Sequence, residues 1–200
     1  MDTTPDRPTG KRERNKQDKL NRIVAAAAGL FDELGFESVT AQLVAERAEI
    51  AKGTLFLYAR TMGELLLLVQ NAHYAEAVAR GRAEASAVPD RPEAVRAMLR
   101  AIVAYNRRRI DTGRRYLQEV LFGDPDQPHR VQALAIVAEA DAVIAGILGR
   151  GGRLSESEAE RRARSISQIL FANLGLSENL RLDDEQLVDL VASQCAPLLD

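Results

Sequence analysis

Apolar positions recur every three or four residues from Ile23 to Leu34. Ile23, Ala27, Leu30, Phe31 and Leu34 share one helical face, and Gly35 stops the pattern. The patterning starts near Lys19. Residues 1 to about 16, with Pro5, Pro8 and Gly10 among charges, read as a disordered basic arm. Two short segments follow, 40–48 and 51–58. Thr61 then has the look of an N-cap before a long helix carrying Leu65, Leu68, Val69, Ala72 and Ala79. Beyond Pro89 the start signals repeat. Asp90-Arg91-Pro92-Glu93 opens a helix with Val95, Met98, Leu99, Ile102 and Val103 inward, and Gly113 punctuates it before a shorter helix to Phe122. A turn-rich loop, 123–128, precedes a helix near 129–148 that is apolar nearly all round and is expected to lie centrally. Ser155…Glu158 and Asp183…Gln186 open two more, near 156–174 and 184–196. No segment has strand period, so the chain reads as all-α with about nine helices.

Composition sharpens this picture. Aromatics are 4% and apolar residues 46%, with no Trp, a mix that favours helices. Cys195 alone cannot build a disulfide framework or a multi-cysteine metal site, and the polar N-terminus lacks a signal-peptide core, so a cytoplasmic setting is expected. The best bilayer candidate, 131–148, is interrupted by Gln132, Glu139 and Asp141, and no membrane association is expected. Net charge is −2, yet Arg7 to Arg22 holds seven basic residues against two acidic ones. Such a segment is either a polyanion-binding arm or a solvated tail.

The informative stretch runs from Ile23 to Leu66. Two short helices joined by a tight turn bury little surface alone, and a third helix, Ile23 to Leu34, supplies the missing face. That is the minimal helix-turn-helix bundle, whose second helix is free to enter a major groove. Leu30-Phe31, Gly35-Phe36, Thr40, Val44-Ala45, Ala48, Ile50, Lys52-Gly53-Thr54-Leu55, Phe56, Tyr58 and Leu65 stand in the order and spacing of one known group, without a gap. In these residues the sequence resembles the TetR family of bacterial regulators.

The resemblance implies a helix-turn-helix at about 40–59 inside a DNA-binding domain at 17–77. It also implies a helical ligand-binding and dimerisation domain at 78–200. The expected function is a ligand-responsive, sequence-specific transcription regulator, a repressor released from operator DNA by a small effector. Expected DNA contacts are Thr40, Ala41, Lys52, Gly53, Thr54, Leu57 and Tyr58. Lys52 and Gly53 open the recognition helix, and Thr54, Leu57 and Tyr58 point outward if Leu55 points in. The chain departs from the family pattern at Glu49 (a turn glycine), Ala51 (a capping Ser or Thr), Phe56 (a tyrosine), Ala59 (an aromatic) and Met62 (a phosphate-binding lysine). These departures keep open an alternative, a ligand- or protein-binding module of the same fold with weakened DNA binding. Dimerisation through the last two helices is also implied. Two stripes agree with it, Ile166-Ile169-Leu170-Leu174 and Leu187-Leu190-Val191-Cys195, although both could instead face the domain's own core.

Other features are weaker. Arg107, Arg108, Arg109, Arg114 and Arg115 read more readily as solvated helix-end arginines than as an anion grip. Glu139 and Asp141 mark a wet helix face or a buried carboxylate site. Tyr74, Met98, Tyr105, Tyr116 and Phe122 are the candidate ligand pocket, with ordinary core packing the competing reading. His73 and His129 lack partners at ligand or triad spacing, and Cys195 reads as a helix-packing thiol. No clustered acid, base or nucleophile points to an enzyme, and no cofactor or metal is expected.

Overall fold

The computed structural model describes residues 9–199, and the first eight residues of the expected arm lie outside it. Among the described residues the chain is built of nine α-helices and two 3-10 turns. They are α1 (Thr9–Leu34), a turn (Phe36–Ser38), α2 (Ala41–Arg47), α3 (Lys52–Leu55), α4 (Met62–Ser86), α5 (Arg91–Arg107), α6 (Ile110–Phe122), α7 (Pro128–Leu148), α8 (Glu156–Gly175), a turn (Ser177–Arg181) and α9 (Asp184–Leu199). Helix α1 begins at Thr9, so residues 9–16 are helical rather than disordered. Beyond Gly10 the segment is dominated by Lys, Arg, Glu and Gln, good helix formers, and a helix already nucleated by buried Ile23 and Ala27 extends at little cost.

Side-chain caps fix most starts. Thr40 Oγ1 accepts from Leu43 N at 3.2 Å, Thr61 Oγ1 from Glu64 N at 3.0 Å, and Asp90 Oδ2 from Glu93 N at 3.1 Å. Asp183 and Gln186 make the reciprocal box at 2.8 and 2.9 Å. Several ends are closed by arginines reaching across. Arg130 donates to the carbonyls of Val120 and Leu121, and Arg150 to those of Val88 and Ala85, satisfying orphan acceptors at the ends of α6 and α4.

One contiguous core runs from Ile23 to Leu199. Its centre is α5, where Ala94, Val95, Met98, Leu99, Ile102 and Val103 are all essentially inaccessible. Each such large apolar side chain contributes about 1.5–3 kcal/mol of burial. Helix α7 is not central as its composition suggested. Ala133, Ile136, Ala140, Ile144 and Ile147 face α4 and α8, while Val131, Leu134, Ala135, Ala138 and Ala142 face out. Alanine tolerates either side, so an alanine-rich helix hides which face is wet.

Three further expectations change. The α5–α6 break falls at Arg108–Arg109, and Gly113 lies inside α6. A Cβ there would sit 1.9 Å from the Asn106 carbonyl oxygen, so the glycine serves the close return of α6 onto α5. The two stripes assigned to a dimer are turned inward. Ile166, Leu170, Leu187, Val191 and Cys195 are inaccessible within the single chain, and burial pushes the Cys195 thiol up to about 11. Helix α4 passes without a break through the expected boundary at 77/78, so one rigid element joins the N-terminal three-helix head to the body.

Candidate nucleic-acid interface and its link to the body

Helices α2 and α3 are held by a tight turn. Ala48 caps α2, Glu49 has φ 53°, Ile50 N donates to Ala45 O at 3.0 Å, and Glu49 N to Glu46 O at 3.1 Å. This is a Schellman closure with glutamate in the left-handed seat that glycine normally takes. Ala51 makes no side-chain cap, and α3 is only four residues, continued to Ala59 by single-turn bonds from Leu57 N to Thr54 O and Tyr58 N to Leu55 O. So short a helix carries little macrodipole, and its side chains and free amides are what a ligand would meet.

Leu55 is buried, and the residues around it turn out. Lys52 and Gly53 are exposed, Thr54 is half-buried, and Leu57 is 83% exposed. Thr40 is exposed beside half-buried Ala41 at the start of α2. Thr40, Ala41, Lys52, Gly53, Thr54 and Leu57 thus stand at the starts of α2 and α3 or in the turn that extends α3. Tyr58 differs. Its ring packs against the core and its hydroxyl donates to Lys16 O at 3.3 Å, tying α3 to α1. Buried Ala59 fills the place of the missing aromatic.

The five candidate pocket residues separate. Tyr74, Tyr105 and Tyr116 form one buried cluster with ring centroids 5.5–6.5 Å apart. Tyr105 donates to Gln70 Oε1 at 2.6 Å and Tyr116 to Asn71 Oδ1 at 3.0 Å, while the Tyr74 hydroxyl has no partner. Burial pushes all three phenols upward, away from ionisation. The cavity beside them, about 30 Å³, holds little more than a water. Met98 is buried against Gly81, and Phe122 lies far out, 82% exposed at the end of α6.

The arginine cluster is neither solvated nor free. Arg107 binds Asp184 at 2.9 Å and the carbonyls of Asn179 and Leu182, and Arg114 binds Gly175 O at 2.8 Å. Arg109 donates to Asp32 O at 2.8 Å and Glu33 O at 3.4 Å, closing the end of α1. Arg115 lies 5.2 Å over the Phe36 ring and pairs with Glu119 at 2.7 Å. Helix α6 therefore grips the head through Arg109 and Arg115, a link that sequence reading missed. The signal available was five arginines around Gly113, whose reach no periodicity reveals. Glu139 pairs with Arg82 on the surface, whereas Asp141 accepts from Ser167 Oγ and is pushed up by burial.

Residues 23–69 match the model of the bacterial regulatory proteins of the tetR family. No curated protein matches the chain. Among solved structures, a TetR transcriptional regulator from Rhodococcus sp. RHA1 is similar at 19% identity, 92% coverage of this chain and 97% of that one, with TM-score 0.72. The FadR repressor of Thermus thermophilus, a TetR-family protein solved with lauroyl-CoA, is similar at 25% identity, 90% and 92% coverage, with TM-score 0.66. AibR, solved with isovaleryl coenzyme A and operator DNA, is similar at 16% identity, 88% and 97% coverage, with TM-score 0.59. The chain thus carries the helix-turn-helix domain of the tetR family of bacterial regulatory proteins at residues 23–69, on a TetR-type helical body.

Proposed function

We propose that the protein is a homodimeric repressor that binds operator DNA and is released by an acyl-CoA thioester. The observation that carries the DNA reading is the outward set Lys52, Gly53, Thr54 and Leu57 on the second helix of the motif, with capped Thr40 beside it. Lys52 and Thr40 would contact phosphate, Leu57 and Thr54 base edges, and Ala41 and Gly53 would let the backbone approach. Tyr58 serves here first as a brace, with its hydroxyl at the rim. Residues 17–77 form the reading head and 78–200 the effector and dimer body. The acyl-CoA class is supported by the likeness to the Thermus thermophilus repressor solved with lauroyl-CoA.

One head reads too few bases, so two copies spanning half-sites about 34–36 Å apart are required. With the α8 and α9 stripes buried, the outer face of α7 is the surface for the second copy. It is uncharged from Val131 through Leu134, Ala135 and Ala138 to Ala142, so an isologous pairing brings no like charges together. At 21 residues the helix is about 31 Å long, and with the flanking face of α8 it approaches the roughly 800 Å² per partner of a stable pair.

The test is anisotropy titration of the full chain against duplex flanking its own gene, with random duplex as control, at about 0.15 M salt. A preference of roughly 10³-fold or more is expected. Weak and equal binding to both duplexes would overturn the repressor reading. It would favour the second one, a binding module whose Glu49 charge and uncapped Ala51 have cost it DNA affinity.

A further inference from the structure

Arg115 stands between two open clefts. On one side a space of about 460 Å³ lies between the first turn of α4, Phe36 and the α6–α7 loop. On the other, a groove of about 490 Å³ runs between α6 and the end of α8. Both volumes fall in the range of small-molecule sites, unlike the space beside the tyrosines. The groove has two chemically distinct ends. Leu117, Leu121, Phe122 and Phe171 make one end apolar, and Arg114 and Arg115 make the other cationic. Phe122 is 82% exposed and Leu121 41%, so the apolar end is uncovered, and Arg115 Nε is shielded from solvent without an acceptor. An alkyl chain ending in an anionic head satisfies both ends at once.

We propose that this groove is the effector site, with the acyl chain of an acyl-CoA against Leu121 and Phe122 and its phosphates on Arg114 and Arg115. This rests on the acyl-CoA reading given above. The same geometry supplies the release. Arg115 holds Glu119 at 2.7 Å, and Glu119 lies so close to α4 that a Cβ on Gly63 would be 2.3 Å from its Oε1. A phosphate that draws Arg115 away frees Glu119 against the first turn of α4, the helix that carries the reading head. The ligand thus binds best when α4 has moved, and DNA affinity falls by the same coupling factor.

The test is calorimetric titration of the full chain with lauroyl-CoA, free coenzyme A and laurate, together with operator release by each. Lauroyl-CoA is expected to bind at least tenfold more tightly than either fragment. Leu121→Asp and Phe122→Asp, both at exposed positions, are expected to weaken it tenfold or more, and Arg115→Gln to weaken coenzyme A and lauroyl-CoA alike. Thermal melting of each variant guards against misfolding. Unchanged lauroyl-CoA affinity in both aspartate variants, with loss in Tyr74→Phe, would move the ligand to the tyrosine cluster and leave the effector class standing. Equal binding of coenzyme A and lauroyl-CoA would remove the role of the apolar end and overturn the site. No lauroyl-CoA binding by the wild-type chain, with operator binding intact, would overturn the effector class and the site while the DNA reading stands.

Discussion

Arg109, in the two-residue break between α5 and α6, donates Nη1 to the main-chain carbonyl of Asp32 at 2.8 Å and so grips the last turn of α1. A guanidinium on a helix-end carbonyl is a charge-assisted bond, stronger than a neutral one. With Arg115 over Phe36, it makes α6 a second connection between body and head besides α4. Arg109→Gln should therefore shrink the ratio of operator affinities with and without effector toward one. Anisotropy titrations with and without lauroyl-CoA measure that ratio. An unchanged ratio would leave Arg109 as a static tie only.

Glu49 sits at φ 53°, the only non-glycine positive φ among the described residues. Glu49→Gly should raise stability by about 1 kcal/mol through relief of left-handed strain. It should also tighten DNA binding, because a carboxylate leaves the turn before α3. Denaturant unfolding checks the first effect and operator titration the second. A loss of stability would show that Glu49 makes a contact worth more than its strain.

The turn at Glu49 was legible in the sequence because backbone chemistry is local. The pattern from Thr40 to Leu55 specified a cap, a short helix, a left-handed seat and a second start, and each of these forms by contacts within a few residues. The effector side was not legible for the opposite reason. Arg109, Arg114 and Arg115 reach elements far along the chain, and Phe122 lines a groove made only when α8 comes alongside α6. Likewise alanine at 135, 138 and 142 gives no sign of which face of α7 is covered. Tyr74, Tyr105 and Tyr116 were rightly grouped by size, but their close packing leaves room for little beyond a water.

Lys52 and Leu57 should fail in different ways. Lys52→Ala removes a phosphate partner and should weaken all duplexes alike, lowering the log–log salt slope by about 0.9. Leu57, 83% exposed, should change stability by no more than about 0.5 kcal/mol when cut to alanine. Its loss should narrow the gap between operator and random DNA. A salt slope unmoved by Lys52→Ala would take that residue off the phosphate backbone.

Asp141 is held between α7 and α8, where burial raises its carboxyl above the ordinary range against the opposing pulls of Ser167 and Arg164. A raised acid is easier to ionise in the unfolded chain, so its ionisation costs the folded state stability. The cost is absent below the ordinary aspartate value of about 3.9 and grows as pH rises through the folded value. Asp141→Asn should therefore stabilise the protein at pH 7 and lose its advantage near pH 4. Melting curves across that range decide it. A gain constant with pH would assign the effect to packing.

The outer face of α7 offers the sharpest test of assembly. Leu134 is 38% exposed and Val131 54%, so charge at either position disturbs little within the single chain. Across a two-fold axis the same charge meets itself, in a dry contact where like charges repel strongly. Leu134→Asp should convert dimer to monomer in sedimentation velocity while leaving the melting of the monomer near that of wild type. Operator affinity should fall with it, because each head would then bind without its partner and lose the benefit of linked sites. Retention of the dimer in Leu134→Asp, with dissociation instead in Ile169→Asp or Leu190→Asp, would return the interface to α8 and α9, whose half-buried residues those are.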